Sequence, residues 1–127
     1  MSIDTKARYA ESHEYAKQDS GKIVVGISDH AQEELGDIVF VELPAKGKLI
    51  KKGQVFGTVE SVKAASDLYM PVGGTILEVN DTLQADPALV NREPYAGGWM
   101  IKIQPSDPKE LDALMDAAAY GKSVGEA

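Results

Sequence analysis

One lysine between two mirrored β-like segments is the residue of this chain best placed to undergo chemistry. Lys63 lies in the stretch 60–67, which joins the extended segment 53–59 to a second one over 68–76. A short connection between strands holds its side chain at a tip, where an enzyme can reach the amine. The chain contains no cysteine, so any sulfur chemistry must arrive on an attached group. We therefore predict that Lys63 is covalently modified.

The remaining polar side chains offer little chemistry of their own. His13 and His30 are far apart in sequence and lack a clear third ligand, so no zinc site is expected. The sequence shows neither a nucleophile–base pair nor a phosphate-binding loop, and we expect a protein that is not an enzyme. Glu60 and Asp67 flank the lysine, where they either solubilise the hairpin tip or give a modifying enzyme an acidic surface to recognise.

Composition and charge narrow the class of protein. With 20 acidic and 13 basic side chains the net charge is −7, which argues against binding to nucleic acid or to anionic membranes. No apolar run approaches the roughly 20 residues that span a bilayer, and we identify no targeting segment. We expect one cytoplasmic, monomeric domain over residues 1–127, with a core at about 9–120, loose or edge-like residues 1–8 and a flexible tail at 122–127.

The elements that must position the lysine are mostly strands. Runs of β-branched residues bounded by Gly, Pro or Asn predict them. The predicted strands are 21–27, 38–43, 53–59, 74–79 and 98–103, with a short extended piece over 48–53.

Three helices are predicted from their caps. Asp29, followed by Gln32, predicts the start of a two-turn helix that ends at Gly36. A single turn is expected over 86–90, where a proline follows an aspartate.

The third predicted helix is C-terminal. Asp107 and Pro108 begin it, and Gly121 ends it. Its apolar stripe starts at Leu111 and recurs at helical spacing, so we expect this stripe to join the core together with Trp99.

The two halves of the chain on either side of the lysine resemble each other. Segments 36–59 and 73–103 each contain a strand, a loop with a turn, then glycine and a second strand. This repeat predicts a mainly-β fold. We expect a small β-sandwich or barrel of two quasi-symmetric halves joined by the lysine-bearing hairpin, with short helices and a C-terminal helix.

The segment 60–69 closely resembles the lipoyl-attachment segment of the H proteins of the glycine cleavage system. The match continues in order over about residues 9–120, and several motifs in register are much more specific than one. It includes the segments 12–14, 26–31, 35–44 and 90–91 and a helix that ends at Tyr120. Tyr15, Met70 and Gly73 depart from the residues usual in this family, at positions that leave the lysine untouched. The resemblance implies a fold of the lipoyl/biotinyl-carrier type.

The resemblance also implies a function for Lys63. Its amine would form an amide with lipoate, on an arm that reaches roughly 14 Å from the backbone. In this family, a pyridoxal-phosphate glycine decarboxylase loads an aminomethyl group onto the arm, and a tetrahydrofolate-dependent aminomethyltransferase takes the methylene and releases ammonia. A flavin-dependent dihydrolipoamide dehydrogenase then reoxidises the dithiol. These three enzymes and a lipoylating enzyme are the expected partners of a non-catalytic carrier.

Further residues are placed at the arm by the same resemblance. Glu14 is expected to pair with the aminomethyl ammonium and Ser12 to support it by hydrogen bonding, although a glutamate is more commonly a plain surface acid. His30 is either structural or part of the arm cleft, and so is His13. Asp67 is expected beside the arm.

Other readings of the lysine remain open. A lipoyl module of a 2-oxoacid dehydrogenase would be shorter and tethered by a Pro/Ala linker, which this chain lacks. A relay protein that feeds lipoate to other proteins and an unmodified β-domain that only binds partners are further alternatives. Biotin fits less well, because biotin carriers resemble Met-Lys-Met at the tip and here Val62 and Ala64 flank the lysine.

Overall fold

The computed structural model describes residues 2–125. Within this range the chain forms nine strands, four short α-helices and one 3₁₀ helix. The strands are β1 Arg8–Tyr9, β2 Glu14–Asp19, β3 Lys22–Ile27, β4 Ile38–Glu42, β5 Leu49–Ile50, β6 Val55–Ser61, β7 Ala65–Tyr69, β8 Gly74–Val79 and β9 Ile101–Pro105. The helices are α1 Asp29–Leu35, α2 Thr82–Ala85, α3 Leu89–Arg92, the 3₁₀ helix Pro108–Ala113 and α4 Ala117–Ser123. No helix in this range is long and apolar enough to cross a membrane.

The strands form two antiparallel sheets. One contains six strands in the order β1-β2-β3-β9-β8-β5, and the other contains β4-β6-β7. Within the described residues neither sheet closes on itself, so the mainly-β sandwich is confirmed and a closed barrel does not form. Each half of the predicted repeat contributes an antiparallel pair to a different sheet, β4 with β6 and β8 with β9.

The main core lies where alternating apolar side chains of the two sheets meet. Ile23 pairs with Ile103 and Val25 with Ile101 across β3 and β9, which places their side chains on one face. From the smaller sheet, Val59 packs into the same cluster. Burying each such side chain stabilises the fold by roughly 1.5–3 kcal/mol. The hairpin that carries Lys63 therefore extends from a rigid base.

The amino-terminal segment is held in place, and of the two expectations for residues 1–8 the edge-like one is confirmed, since β1 begins at Arg8 on the edge of the larger sheet. Asp4 forms an ion pair with Lys17 at 2.7 Å, and the Ser2 amide donates to Asp29 Oδ2 at 2.6 Å. Ala7 is buried in a second apolar cluster, which contains three buried tyrosines. These are Tyr9, Tyr15 and Tyr120.

The predicted C-terminal helix over 107–121 is interrupted. After the 3₁₀ helix the backbone is extended at Leu114, and Met115 exchanges two hydrogen bonds with Tyr9, at 2.8 and 2.9 Å. Asp116 then caps α4 by accepting from the Ala119 amide at 2.8 Å. The pairing with β1 is a non-local contact that outweighs local helix propensity.

The end of the chain also differs from the prediction. Gly121 does not end the helix, because α4 continues to Ser123. Residues 122 and 123 of the predicted flexible tail are therefore helical, and residues 126 and 127 lie outside the described range.

Smaller differences concern caps and burial. The predicted helix after β3 is confirmed as α1, but its N-cap is Ser28, whose hydroxyl accepts from the Ala31 amide at 3.1 Å. Trp99 is only half-buried, with the Lys102 ammonium 4.6 Å from its ring centroid. It is therefore not a core residue. Strand β2 and helix α2 were not predicted.

Candidate functional site

Lys63 lies at the tip of the β6–β7 hairpin, as predicted. The turn is closed by a hydrogen bond from the Ser61 amide to the Ala64 carbonyl at 2.8 Å. The Ser61 hydroxyl also accepts from the amides of Lys63 and Ala64, at 3.2 and 3.1 Å. Serine favours such turns because its side chain can satisfy nearby backbone donors. The turn leaves the Lys63 side chain exposed.

The lysine leans over the carboxyl end of α1. Its Nζ donates to the Glu34 carbonyl oxygen at 3.1 Å, at the helix end that attracts cations. Gly36 makes room for it: a Cβ at that position would lie 2.9 Å from Lys63 Cε, and its φ is +80°. The tip is also anchored by the Val62 amide, which donates to the Asp37 carbonyl at 3.0 Å.

A cavity of about 230 Å³ opens beside this helix end. We call it the Glu14 cavity. Its walls combine four apolar side chains with polar groups. They are Ser12, His13, Glu14, Ile27, Ala31, Glu34, Leu35, Ser66 and Leu68. Because Glu34 both lines the cavity and accepts from Lys63, the free amine lies at the cavity rim.

Glu14 is the buried acid of this cavity, with 2% of its surface exposed. Ser12 Oγ donates to Oε1 of its carboxylate, and the Tyr69 amide donates to Oε2 at 3.1 Å. Burial raises the pKa of Glu14, and the hydrogen bonds from Ser12 and Tyr69 oppose that rise. No basic side chain among the described residues forms an ion pair with it. A buried carboxylate without a countercharge is a favourable place for a cation.

Both histidines lie near the cavity, but only His13 lines it. The His13 and His30 rings are 4.9 Å apart, and His30 Nε2 lies 2.9 Å from Glu34 Oε1. Burial lowers the pKa of His13, and the neighbouring His30 lowers it further. On the other side of the ring, His13 Nδ1 is 2.8 Å from the Tyr120 hydroxyl.

Asp67 and Glu60 lie elsewhere. Ser66 and Leu68 of β7 point into the cavity, so Asp67, between them, faces the opposite side of the sheet and is exposed. It pairs with Thr58, which in turn pairs with Glu42. Glu42, Glu60 and Asp67 are exposed on the same outer face, which we call the acidic face. The structure thus brings Ser12 and Glu14 together in the cavity, places Lys63 on the helix end beside it and leaves Asp67 outside.

Three residues of the site were missed in the sequence. Glu34 contributes a backbone carbonyl, which no side-chain pattern reveals. Ser28 and Tyr120 support the cavity from behind, with 2.6 Å between their hydroxyl oxygens. Tyr120 lies off the predicted apolar stripe that starts at Leu111, so the helical pattern gave no signal for its burial.

Comparison with known proteins identifies the family. The family model described as glycine cleavage H-protein matches residues 7–127. The chain is 54% identical over 126 residues to the glycine cleavage system H protein of Anaeromyxobacter sp. (strain K), covering 99% of this chain and 98% of that one. It is 55% identical over 125 residues to glycine cleavage system H protein 2 of Pseudomonas putida, covering 98% of both.

A solved structure agrees with these relatives. The crystal structure of a glycine cleavage system H protein from Mycobacterium marinum matches with a TM-score of 0.90 at 36% identity. The match covers 97% of this chain and 99% of that chain. This chain therefore belongs to the glycine cleavage H-protein family, whose members are carriers in glycine cleavage with lipoate covalently attached to a lysine.

Proposed function

We propose that Lys63 is the lipoylated lysine of this carrier and that residues 1–127 form a single carrier domain. The observation that carries the proposal is the position of its amine, exposed on a tight turn yet at the rim of a cavity whose buried acid, Glu14, forms no ion pair with any of the described residues. Exposure lets a lipoylating enzyme reach the amine. The cavity gives the modified side chain a place to fold back.

The residues around the cavity fit a lipoyl group. Lipoate, when bound, would supply a disulfide that opens when one of its sulfurs accepts the aminomethyl group, and the dithiol left after transfer would be reoxidised. Ile27, Ala31, Leu35 and Leu68 provide an apolar lining suited to methylenes and sulfur. An arm of roughly 14 Å is long enough to reach from the hairpin tip either into the cavity or outward to an enzyme.

Glu14 is proposed to hold the cationic end of the cargo. Its two oxygens are oriented by Ser12 and by the Tyr69 amide, so the carboxylate is set in place before a cation arrives. Because the site is nearly inaccessible to solvent, a carboxylate–ammonium pair there is stronger than in water. The same burial keeps water from the linkage.

The acidic face and His30 are proposed to act outside the cavity. Glu60 and Asp67 project beside the hairpin, where they favour enzymes with basic docking surfaces. His30 pairs with Glu34 and so steadies the helix end on which the lysine rests. We keep Asp67 as a recognition residue, because its exposure supports contact with a partner better than contact with the folded-back arm.

We further propose three sequential partners for the modified chain. They are glycine decarboxylase, aminomethyltransferase and dihydrolipoamide dehydrogenase, which use the chain as a shared substrate, while the chain itself catalyses no step. A monomer fits this role, because a net charge of −7 opposes self-association.

The modification is tested by intact-mass measurement after incubation with a lipoylating enzyme and lipoate. Wild type should gain one lipoyl mass and Lys63→Arg none, since arginine keeps the charge but cannot form this amide. Lys52→Arg is the matched control at another exposed turn, and it should be modified like wild type. Modification of Lys63→Arg would contradict the assignment.

The carrier role is tested by reconstitution. Lipoylated wild type should support glycine–bicarbonate exchange with glycine decarboxylase, whereas Lys63→Arg should not. Failure of a fully lipoylated sample in this assay would instead favour a relay role or another pathway.

A further inference from the structure

A chain of hydrogen bonds connects the C-terminal helix to the Glu14 cavity. The Tyr120 hydroxyl lies 2.8 Å from His13 Nδ1 and 2.6 Å from Ser28 Oγ. Tyr120 and Ser28 are both fully buried, and His13 is part of the cavity wall. Three segments distant in sequence therefore meet behind the cavity.

The hydrogen bonds favour one direction along this chain. Ser28 Oγ already accepts from the Ala31 amide at 3.1 Å, so its own proton can go to the Tyr120 oxygen. The Tyr120 proton can then go to His13 Nδ1, which makes His13 neutral with its remaining proton on Nε2. This arrangement satisfies both hydroxyl groups and His13 Nδ1.

Protonating His13 reverses the direction. Nδ1–H would donate to Tyr120, and the Tyr120 proton would turn toward Ser28 Oγ. The Ser28 proton would then lose the acceptor it had in Tyr120, and an unsatisfied buried donor is unfavourable. The hydrogen-bond chain thus favours neutral His13.

The backbone of His13 adds a second constraint. Its φ is +77°, which is uncommon for a residue other than glycine and requires support from its surroundings. That support includes the Ser28 amide, which donates to the His13 carbonyl at 3.0 Å, and the His13 amide, which donates to Ala10 at 2.9 Å. The hydrogen bond to Tyr120 then fixes the orientation of the His13 ring, with Nδ1 turned toward Tyr120.

We propose that Tyr120 is a positioning residue for the carrier: its hydroxyl holds the His13 ring neutral, so that the cavity presents to a cationic cargo the negative charge of Glu14 and no positive charge from His13. This inference rests on the proposed function of the cavity. A His13 cation would share the cavity with the ammonium, and like charges so close together repel.

Several groups face His13 and bear on its charge. His30 and Glu34 lie on α1, and Tyr120 lies on α4. Ser12 and Glu14 are the residues directly before and after His13 in the chain. Burial and His30 disfavour a charged His13, whereas Glu34 favours it. Glu14 also titrates, with a raised pKa, so any test must separate its protonation from that of His13.

The first measurement is an NMR titration of the His13 ring in wild type, Tyr120→Phe and Ser123→Ala. Ser123→Ala is the control, because its hydroxyl donates to the Tyr120 carbonyl at 2.7 Å in the same helix without joining the hydrogen-bond chain. Losing one hydrogen bond should raise the pKa of His13 by about one unit in Tyr120→Phe only. An unchanged pKa would overturn the proposal.

The second measurement is the lifetime of the aminomethyl-loaded holoprotein against pH. In Tyr120→Phe the lifetime should be severalfold shorter at about pH 6, near the ordinary pKa of histidine, and should approach wild type at higher pH. A lifetime shortened equally at every pH would indicate a purely structural role and contradict the proposal.

A third variant isolates the charge of His13. His13→Asn tolerates a positive φ and cannot become cationic. Its acid-induced loss of lifetime should reflect Glu14 alone, as in wild type, and should occur at lower pH than in Tyr120→Phe. Adding Tyr120→Phe to His13→Asn should have no further pH-dependent effect. If Tyr120→Phe shortens the lifetime as much in the His13→Asn background as in wild type, the proposal fails. A wild-type His13 that titrates at or above the ordinary histidine pKa in the NMR measurement would also overturn it, even where Tyr120→Phe does not fold. If Lys63 is not lipoylated, the lifetime cannot be measured, but the NMR titration still can. Failure of the proposed carrier function can therefore be told apart from failure of the proposed role of Tyr120.

Discussion

Lys63 Nζ donates a hydrogen bond to the Glu34 carbonyl oxygen at 3.1 Å, which joins the hairpin tip to the last turn of α1. The contact places the amine where the helix end is electronegative and where the Glu14 cavity begins. Conversion of the amine to an amide removes its positive charge and weakens this attraction. Modification therefore favours release of the side chain from the resting position seen here.

Gly36 should be required for that resting position. A side chain at its φ of +80° is strained, and a Cβ would lie 2.9 Å from Lys63 Cε. We expect Gly36→Ala to lower the free energy of unfolding by about 1–3 kcal/mol and to change the rate of lipoylation. Denaturant unfolding and a timed mass assay measure the two effects.

Gly47→Ala is the control for Gly36. Gly47 has a similar φ of +86° but nothing within 4 Å of an added Cβ. The Gly47→Ala variant should lose stability through backbone strain and keep the wild-type rate of lipoylation. Equal lipoylation rates for both variants would show that crowding at the lysine is unimportant.

Glu14 should protect the cargo without affecting lipoylation. Removing its carboxylate deletes the partner of the ammonium and admits water to the cavity, so Glu14→Ala should be lipoylated normally and lose its aminomethyl group faster. Ser12→Ala should have a smaller effect in the same direction, since it removes only one hydrogen bond to the carboxylate, worth roughly 1.5–3 kcal/mol. Equal lifetimes for Glu14→Ala and wild type would rule out this role for Glu14.

Glu14 should also make the unloaded fold less stable at neutral pH. Because burial raises its pKa above the ordinary value of 4.5, the native state binds the proton more tightly than the unfolded chain. Stability therefore decreases as pH rises from the unfolded pKa through the folded pKa. Glu14→Gln should exceed wild type in free energy of unfolding at pH 7, by an amount that shrinks in acid. A difference that is independent of pH would show that another effect dominates.

Docking to the enzymes should depend on salt. Charges on the acidic face act over a screening length of about 10 Å at 0.1 M salt, so the Michaelis constant of glycine decarboxylase for the lipoylated chain should rise with ionic strength. Glu60→Gln/Asp67→Asn should flatten that dependence. Asp19→Asn/Asp112→Asn removes the same charge from exposed positions outside the acidic face and should leave the slope nearly unchanged. If the Michaelis constant of the wild type does not change with salt, recognition must depend on shape and apolar contacts and not on charge.

Much of the fold follows from local patterns in the sequence. The β-branched runs at β3, β4, β6, β8 and β9 were predicted because one face of each strand is apolar. Strand β2 was not, because one of its inward positions is the acid Glu14, which obscures the alternation. The break before α4 depends on the pairing of Met115 with Tyr9, more than a hundred residues away, and no local pattern contains it.

The site was predictable only in part. The exposed position of Lys63 follows from its hairpin, whereas the proximity of Ser12 and Glu14 came from family resemblance alone. The outward direction of Asp67 depends on strand register, which a one-residue shift would reverse. The contacts of Lys63 with Glu34 and of His13 with Tyr120 arise from tertiary packing.

The two hydrogen bonds between Tyr9 and Met115 have a consequence for synthesis on the ribosome. Tyr9 is completely buried, so its backbone groups cannot be satisfied by water in the finished fold. Their partner is made only when nine-tenths of the chain has been translated. The Tyr9 backbone therefore lacks these partners until Met115 has been synthesised, so this edge of the larger sheet is completed later than the pairing of β1 with β2.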